Sequence, residues 1–304
     1  AGLSFLPLRL LSATAALASA LLVVWLVRIE TRGWLFPALA GLMFLGTFEL
    51  SGAWFDLARE DSLALALALG AVALGRVATT PRGLGAAGAV AALALLTKQS
   101  TAVVVPALLV QALVVARWRG ALAFLGAFGA VTVVAAAYLH LQSAGWFWYY
   151  TVELPLAHGM KGREVLLVDF WRFELPARIP LALTCAVLFL SGSPAVARSR
   201  HAWYCAAVAL SLIAGSYLSR LHMGSFLNDL MPAHAALAWL FGLALHGMSV
   251  SRPELRTPAP RALAACCLLA VVQLVLLWGD WSRYGPGRRA GAAGDALVAL
   301  VRNY

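Results

Sequence analysis

The stretch that decides the fold is Leu8–Val27, which reads LRLLSATAALASALLVVWLV. It holds 20 residues with a single charge, Arg9. A helix needs about 20 mostly apolar residues to cross a bilayer, so this stretch is long enough to span one. Ala18–Ala20 is also typical of a signal-peptide cleavage site, but the apolar run continues beyond it and favours a retained span.

The same apolar bias extends over the whole chain. The 304 residues are 62% hydrophobic and 12% charged, with a mean hydropathy of +0.84. A soluble domain carries about 25% charged residues, and a disordered chain is poor in apolar ones. The composition therefore excludes both classes and predicts an all-α, polytopic membrane protein.

The charge and the cysteines point to no other class of partner. The formal net charge is +10, from 23 Lys and Arg against 13 Asp and Glu. The basic residues fall singly or in pairs between apolar runs, which indicates topology and contacts with membrane lipids rather than nucleic acid. The four cysteines lie in apolar stretches without metal-ligand spacing, so we predict neither disulfides nor a zinc site. They are Cys185, Cys205, Cys266 and Cys267.

We predict ten membrane spans in a single integral-membrane domain, 1–304. The shorter spans are expected to be shielded by neighbouring helices. The spans are centred on 8–27, 34–54, 62–75, 83–96, 101–116, 121–142, 178–192, 202–219, 230–248 and 262–281.

The connections between these spans predict an orientation. One alternate set of short connections holds eleven arginines, and the other holds only Arg59, Lys98 and Arg220. Positive residues stay cytoplasmic, so the first set is inside and both termini are outside. Most acidic residues then lie at the outer face, with a long outer loop at about 143–177 and a C-terminal outer tail at about 282–304. We expect the bacterial inner membrane, with the polar face extracytoplasmic.

The outer loop is rich in aromatic residues. It opens with Trp146–Tyr150 and continues through Phe170–Phe173. Aromatic residues beside charges are typical of an interfacial helix at the headgroup layer. Two interpretations stay open, namely a plain aromatic belt and a wall that guides a lipid-borne substrate.

The first polar cluster lies between the second and third predicted spans, at Asp56–Asp61. A structural interpretation is that Asp61 and Ser62 cap the third span and that Arg59 pairs with a neighbouring carboxylate. A functional interpretation is that a carboxylate, with Arg59 and Glu60 beside it, acts as a general base or holds a divalent cation.

Two further polar clusters follow at the same face. Lys98 and Gln99 form a tight hairpin between apolar runs, where the lysine could neutralise a phosphate or reach lipid headgroups. Arg220, His222 and Asn228 lie between the eighth and ninth spans. Arg220 could grip a phosphate through its guanidinium fork, while His222, Asn228 and Asp229 could hydrogen-bond sugar hydroxyls.

The chain has no nucleotide-binding signature, such as a Walker A motif or a G-x-G-x-x-G turn after a strand. An outer site with acids and phosphate-binding cations therefore favours an anionic, lipid-delivered substrate. We predict no cofactor, and the sequence leaves open whether a divalent cation assists.

In this arrangement the sequence resembles the GT-C superfamily of glycosyltransferases, in the bacterial branch related to protein O-mannosyltransferases and the lipid A aminoarabinose transferase. The matching segments extend from about 50 to 235. They are Trp54–Leu63, similar to the A-R-x-D-x-L pattern of the second outer loop, Leu96–Gln99, similar to L-T-K-[GQ], Gly145–Tyr150 with Glu153–Pro155, and Ser219–His222 with Asn228–Pro232.

The resemblance implies a polyprenyl-phosphate-linked sugar donor, a glycan, lipid or protein acceptor, and an inverting displacement at an extracytoplasmic site. By that analogy Asp61 is the second-loop aspartate and catalytic base, and Lys98 and Arg220 are phosphate ligands. The family's principal catalytic aspartate lies in the first outer loop, after the first span. Residues 1–8 begin just beyond that region, so we expect the chain to lack the first span and the first outer loop.

Two other classes of protein are weighed against this one. A transporter or flippase of lipid-linked or small substrates would use a similar membrane domain without covalent chemistry, but it usually shows related halves. No internal repeat occurs in the sequence. A catalytically inactive, lipid-binding relative is the third class. Neither the sugar, the acceptor nor the oligomeric state can be predicted from the sequence.

Overall fold

A computed structural model describes residues 5–31, 33–162, 164–175, 201–250, 259–277 and 288–302. Within these ranges the regular structure is helical throughout, apart from a single antiparallel bridge between Met160 and His222. The prediction of an all-α fold is confirmed for the described part of the chain.

Nine longer helices form the frame of the described part of the chain, and shorter helical turns lie between some of them. The connecting turns include the 3₁₀ segments Gln99–Val104 and Leu227–Leu230 and the π-helical segment Val165–Glu174. The nine are α1 (Leu6–Arg28), α2 (Leu35–Leu45), α3 (Asp61–Val77), α4 (Pro81–Thr97), α5 (Val105–Gln142), α6 (Ala202–Arg220), α7 (Met231–Val250), α8 (Ala259–Leu276) and α9 (Arg288–Arg302).

Among the described residues, four helical segments are long and apolar enough to cross a membrane, which is fewer than the ten spans predicted. They are Leu6–Arg28, Gln99–Gln142, Ala202–Arg220 and Leu227–Ser249. Three shorter apolar helices accompany them among the described residues, at Leu35–Leu45, Pro81–Thr97 and Leu263–Leu276. The predicted span 178–192 lies outside the described residues. The fold is therefore that of a helical membrane protein.

The second predicted span, 34–54, differs in the structure because α2 ends at Leu45 and turns follow it. Gly52 and Ala53 have φ values of +69° and +60°, so the backbone there cannot continue a right-handed helix. The turn folds Phe55 back onto Phe44, with ring centroids 5.0 Å apart. This turn places the 56–61 segment at the N-terminus of α3.

Helix α5 contains a break that separates two predicted spans, 101–116 and 121–142. Ala116 and Arg117 leave helical geometry, and Arg117 has a φ of 54°. Beyond the break Gly120 lies so close to Ala112 that a Cβ on it would sit 2.4 Å from the Ala112 carbonyl oxygen. The two halves of α5 therefore fold back on each other where the sequence places the boundary.

The core is built around α7, the most deeply buried of the spanning segments. Trp239 and Phe241 are buried there against the apolar side chains of α1 and α2, including Leu26 and Phe44. Helix α6 joins α3 through the Tyr204 hydroxyl, which donates a hydrogen bond to the carbonyl of Val72 at 2.7 Å. By contrast, the second half of α5 exposes apolar side chains such as Val133 and Val134, as expected of a surface that faces lipid.

Gly88 allows α4 to approach the second half of α5, and its replacement gives a direct test of this packing. A Cβ at Gly88 would lie 2.3 Å from the carbonyl oxygen of Phe124. We expect Gly88→Ala to lower the free energy of unfolding by about 1–3 kcal/mol, because the backbone must move to admit it. The matched control is Gly126→Ala, which meets nothing within 4 Å and gains up to about 1 kcal/mol of helix propensity. Thermal unfolding in detergent measures both, and equal midpoints would contradict the close approach.

Candidate functional site

Four chain segments bring the predicted site residues to one end of the helix bundle. Helix α3 begins at Asp61, α4 is followed by Lys98, α6 ends at Arg220, and α7 is preceded by the turn that holds Asn228. Because antiparallel helices alternate in direction, these particular ends meet. All three polar clusters therefore lie at the same face.

Lys98 is the centre of a buried ion cluster. Its Nζ donates hydrogen bonds to Asp61 Oδ1 at 2.5 Å and to Asp229 Oδ1 at 2.8 Å. Burial lowers the pKa of Lys98, but the charges and hydrogen bonds of Asp229 and Asp61 outweigh burial and leave the pKa raised. The ammonium is therefore a permanent cation shared by two carboxylates.

Only one of the two carboxylate oxygens of Asp61 accepts hydrogen bonds from the described residues. Its Oδ1 also accepts a hydrogen bond from Asn228 Nδ2 at 2.8 Å. Its Oδ2 is buried and has no hydrogen-bond partner among the described residues, and the same is true of Asn228 Oδ1. The Arg59 Nε lies 4.0 Å from Asp61 Oδ2. A void of about 30 Å³ adjoins these groups, which is room for one water-sized molecule.

Arg59 and Glu60 form the more exposed rim of the cluster. The Arg59 guanidinium contacts Glu60 Oε1 at 3.3 Å and lies over the Trp54 ring, 5.1 Å from its centroid. Both side chains are about half exposed, so this ion pair contributes little stability. Their position at a cavity rim instead suits them to contact a ligand.

Arg220 is clamped from two sides. Its Nε donates to Glu174 Oε2 at 2.8 Å and its Nη2 to Glu174 Oε1, while its Nη1 donates to Ser225 Oγ at 2.9 Å. Lys161 Nζ donates to the same Ser225 hydroxyl. The arginine fork is thus already engaged by a carboxylate, as Lys98 is.

An open cavity of about 700 Å³ lies in front of the cluster. Its inner wall comes from the ends of α4 and α6 and from the turn before α7, and its outer wall from the 146–158 segment. Gln99 Nε2 bridges the two walls with a hydrogen bond to the Thr151 carbonyl at 3.3 Å. Six of the predicted site residues line the cavity, namely Arg59, Glu60, Lys98, Gln99, His222 and Asn228.

The structure corrects one structural interpretation of the 56–61 segment. Neither Asp61 nor Ser62 caps α3, because the N-cap position is Glu60 and it makes no side-chain cap hydrogen bond. Ser62 Oγ donates instead to the Phe55 carbonyl at 2.9 Å. Asp61 is therefore free of a capping role and points into the cluster.

The sequence suggested Asp229 as a ligand of sugar hydroxyls, and the structure places it as the second carboxylate of the Lys98 cluster. Sequence reasoning missed two further partners at this site. Glu174, which binds Arg220, and Lys161, which shares Ser225 with it, carry no spacing signal, since contacts across the outer loop decide their placement. No group of three or more His, Cys, Asp or Glu side chains suited to a metal occurs among the residues that the structure describes.

No family model, no curated protein and no solved structure matches this chain. The fold and site define the chain as a helical membrane protein with a buried lysine–carboxylate cluster beside an open cavity. Membership of a particular family stays a prediction.

Proposed function

We propose that the chain is a membrane glycosyltransferase of the GT-C type, which moves a sugar from a polyprenyl-phosphate donor to an acceptor hydroxyl or amine. The observation that carries the proposal is the Asp61 carboxylate. One of its oxygens is fixed by Lys98 and Asn228, and the other is buried without a hydrogen-bond partner among the described residues; Asp61 lines a void of about 30 Å³. The larger cavity is lined by its partners Lys98 and Asn228. A general base needs this combination of a fixed orientation and one free lone pair.

The proposed step is an inverting displacement at the anomeric carbon of the donor. Asp61 Oδ2 takes the proton of the acceptor hydroxyl or amine as the acceptor atom bonds to the anomeric carbon. The bond between that carbon and the phosphate oxygen breaks, and its electron pair leaves on the polyprenyl phosphate. Cations at the cavity stabilise the departing phosphate, so no cofactor is required.

The cavity suits a donor with a long apolar tail and a polar head. Its volume of about 700 Å³ lies within the range of small-molecule sites. Leu156 and Phe226 line it and are 80% and 63% exposed, so the structure leaves apolar surface at its mouth. Trp146 and Tyr150 are also exposed on the neighbouring outer segment. These surfaces would contact the isoprenoid chain and the lipid headgroup layer.

The proposal includes ten spans, an extracytoplasmic cavity and a bacterial inner membrane, and its sidedness is testable by cysteine labelling. In a background without native cysteines, Glu60→Cys is expected to react with a membrane-impermeant maleimide added to spheroplasts. Arg82→Cys, an exposed position at the opposite end of α4 from Lys98, is expected to react only after lysis. The reverse pattern would place the cavity in the cytoplasm and contradict the proposal.

The decisive experiment is an assay of sugar transfer in proteoliposomes. The complete gene product is supplied with a panel of radiolabelled polyprenyl-phosphate sugars and membrane extract as acceptor, and release of polyprenyl phosphate is measured. Release of the lipid phosphate with label in the acceptor supports the transferase. Absence of release with every donor, together with labelled lipid in the opposite leaflet, would instead identify a flippase.

A further inference from the structure

Among the described residues, Arg59 and Lys98 line the cavity, and Arg220 and Lys161 contact Ser225, which also lines it. Arg59, Lys98 and Arg220 each have a carboxylate oxygen within 4.0 Å. Lys161 has no such partner among the described residues. A paired cation has much of its charge neutralised, so of these four Lys161 has the most charge to offer a ligand.

Lys161 and Arg220 converge on one hydroxyl. Lys161 Nζ donates to Ser225 Oγ and, at 3.3 Å, to the Ser225 carbonyl. Arg220 Nη1 donates to the same two atoms at 2.9 Å and 3.0 Å. Ser225 lines the cavity, so this convergence lies at the cavity edge. Three donor-bearing groups around one point are the elements of an oxyanion site.

Backbone hydrogen bonds hold Lys161 in this place. Its N–H donates to the Leu221 carbonyl at 2.7 Å, and Met223 N–H donates to the Gly159 carbonyl at 3.0 Å. These two bonds flank the bridge between Met160 and His222 and tie the outer segment to the loop after α6. The lysine is therefore positioned before any ligand arrives, which reduces the entropy lost on binding.

The electrostatic surroundings of Lys161 favour a negative partner. Burial and the positive charge of Arg220 lower the pKa of Lys161, and this effect exceeds the opposing influence of Glu174 and Asp229. A cation that lies beside a second cation gains from an anion placed between them.

We propose that Lys161, Arg220 and the Ser225 hydroxyl bind one phosphate-type oxyanion at the edge of the cavity. Lys161 supplies the charge. Arg220 Nη1 donates to Ser225 Oγ, and Ser225 Oγ donates to the Arg220 carbonyl at 3.0 Å; both turn these hydrogen bonds to the oxyanion when it binds. This inference deepens the proposed function and rests on it, because the phosphate is taken to be that of the lipid-linked donor. The phosphate would bind at Lys161 and not at Lys98, which is paired with carboxylates.

Binding of farnesyl phosphate to the purified chain in detergent tests the site, with farnesol as the uncharged probe. Lys161→Gln is expected to weaken binding of farnesyl phosphate about tenfold, the loss typical of one charge-assisted hydrogen bond. Lys161→Arg keeps the charge and is expected to bind nearly as well as the wild type. Farnesol affinity is expected to be the same in all variants. Arg172→Gln is the matched control, since Arg172 is exposed and its guanidinium lies over the Phe173 ring, 5.3 Å from its centroid.

Inorganic phosphate serves as a competitor that separates the two sources of the ligand. If excess inorganic phosphate does not displace farnesyl phosphate, the ligand is lipid-linked. If an equal concentration of inorganic phosphate displaces it, the site is the same but its ligand is free phosphate. Equal losses in Lys161→Gln and Arg172→Gln, or no loss in either, would overturn the site. Lys161-dependent binding without sugar turnover would refute the transferase alone, whereas turnover with Lys161-independent binding would refute this site alone.

Discussion

Asp61→Asn is expected to lower the rate of sugar transfer by about two to four orders of magnitude, the usual contribution of a positioned general base. The amide keeps an oxygen for the hydrogen bonds that Lys98 and Asn228 donate to Oδ1. Its nitrogen takes the place of Oδ2 and cannot accept a proton. The measurement is release of polyprenyl phosphate by the complete gene product in proteoliposomes, with donor affinity recorded alongside it.

Asp56→Asn is the matched control for this variant. Asp56 undergoes the same change of carboxylate to amide five positions earlier, but it pairs with Arg9 and both side chains are 34% exposed. Its activity is expected to stay within about threefold of the wild type, because pairs of this exposure contribute little. Transfer by Asp61→Asn at the rate of Asp56→Asn would remove Asp61 from the mechanism.

Lys98→Met is expected to lower the free energy of unfolding by about 3–5 kcal/mol, because it leaves two buried carboxylates without their cation. The side chains of Asp61 and Asp229 are only 4% and 9% exposed, so water cannot replace the ammonium. Since the pKa of Lys98 is raised above 10.5, its contribution is complete below that pH and is lost only as the pH rises through the folded-state pKa. Unfolding in mixed micelles, followed by tryptophan fluorescence, measures the loss.

Two comparisons make the stability measurement specific to the cluster. Arg59→Met removes a cation whose side chain is 51% exposed and is expected to cost less than about 1 kcal/mol. The double variant Lys98→Met with Asp229→Asn removes one of the stranded charges and is expected to recover part of the lost stability. A single variant Lys98→Met as stable as Arg59→Met would show that the cluster contributes nothing to folding.

Much of the fold could be predicted because a bilayer tolerates few alternatives to apolar helices. The run at Leu8–Val27 corresponds to α1, and the boundary between 116 and 121 corresponds to the break in α5. The prediction failed over 34–54, where composition alone extends a span beyond Leu45 into turns that include two positive φ angles. Backbone reversals of this kind depend on tertiary contacts such as Phe44 with Phe55, which hydropathy cannot register.

The location of the candidate site could be predicted from the sequence, but the pattern of its ion pairs could not. Alternation of helix direction is enough to bring Asp61, Lys98 and Asn228 to one face. Which cation pairs with which carboxylate depends on side-chain packing, so the sequence suggested Lys98 and Arg220 as open phosphate ligands. The structure has both engaged by carboxylates, and Lys161 without one among the described residues.

The sequence positions of the Lys98 cluster also determine the order in which its ion pairs can form during synthesis. Asp61 and Lys98 are 37 residues apart and can meet as soon as α3 and α4 enter the membrane as a hairpin. Asp229 follows Lys98 by 131 residues, which is roughly 7 to 26 s of synthesis at 5–20 residues per second. A Lys98–Asp61 pair formed in that interval would leave neither charge alone while α3 and α4 insert. The same contact that holds the site together would thus lower the cost of inserting its two charges.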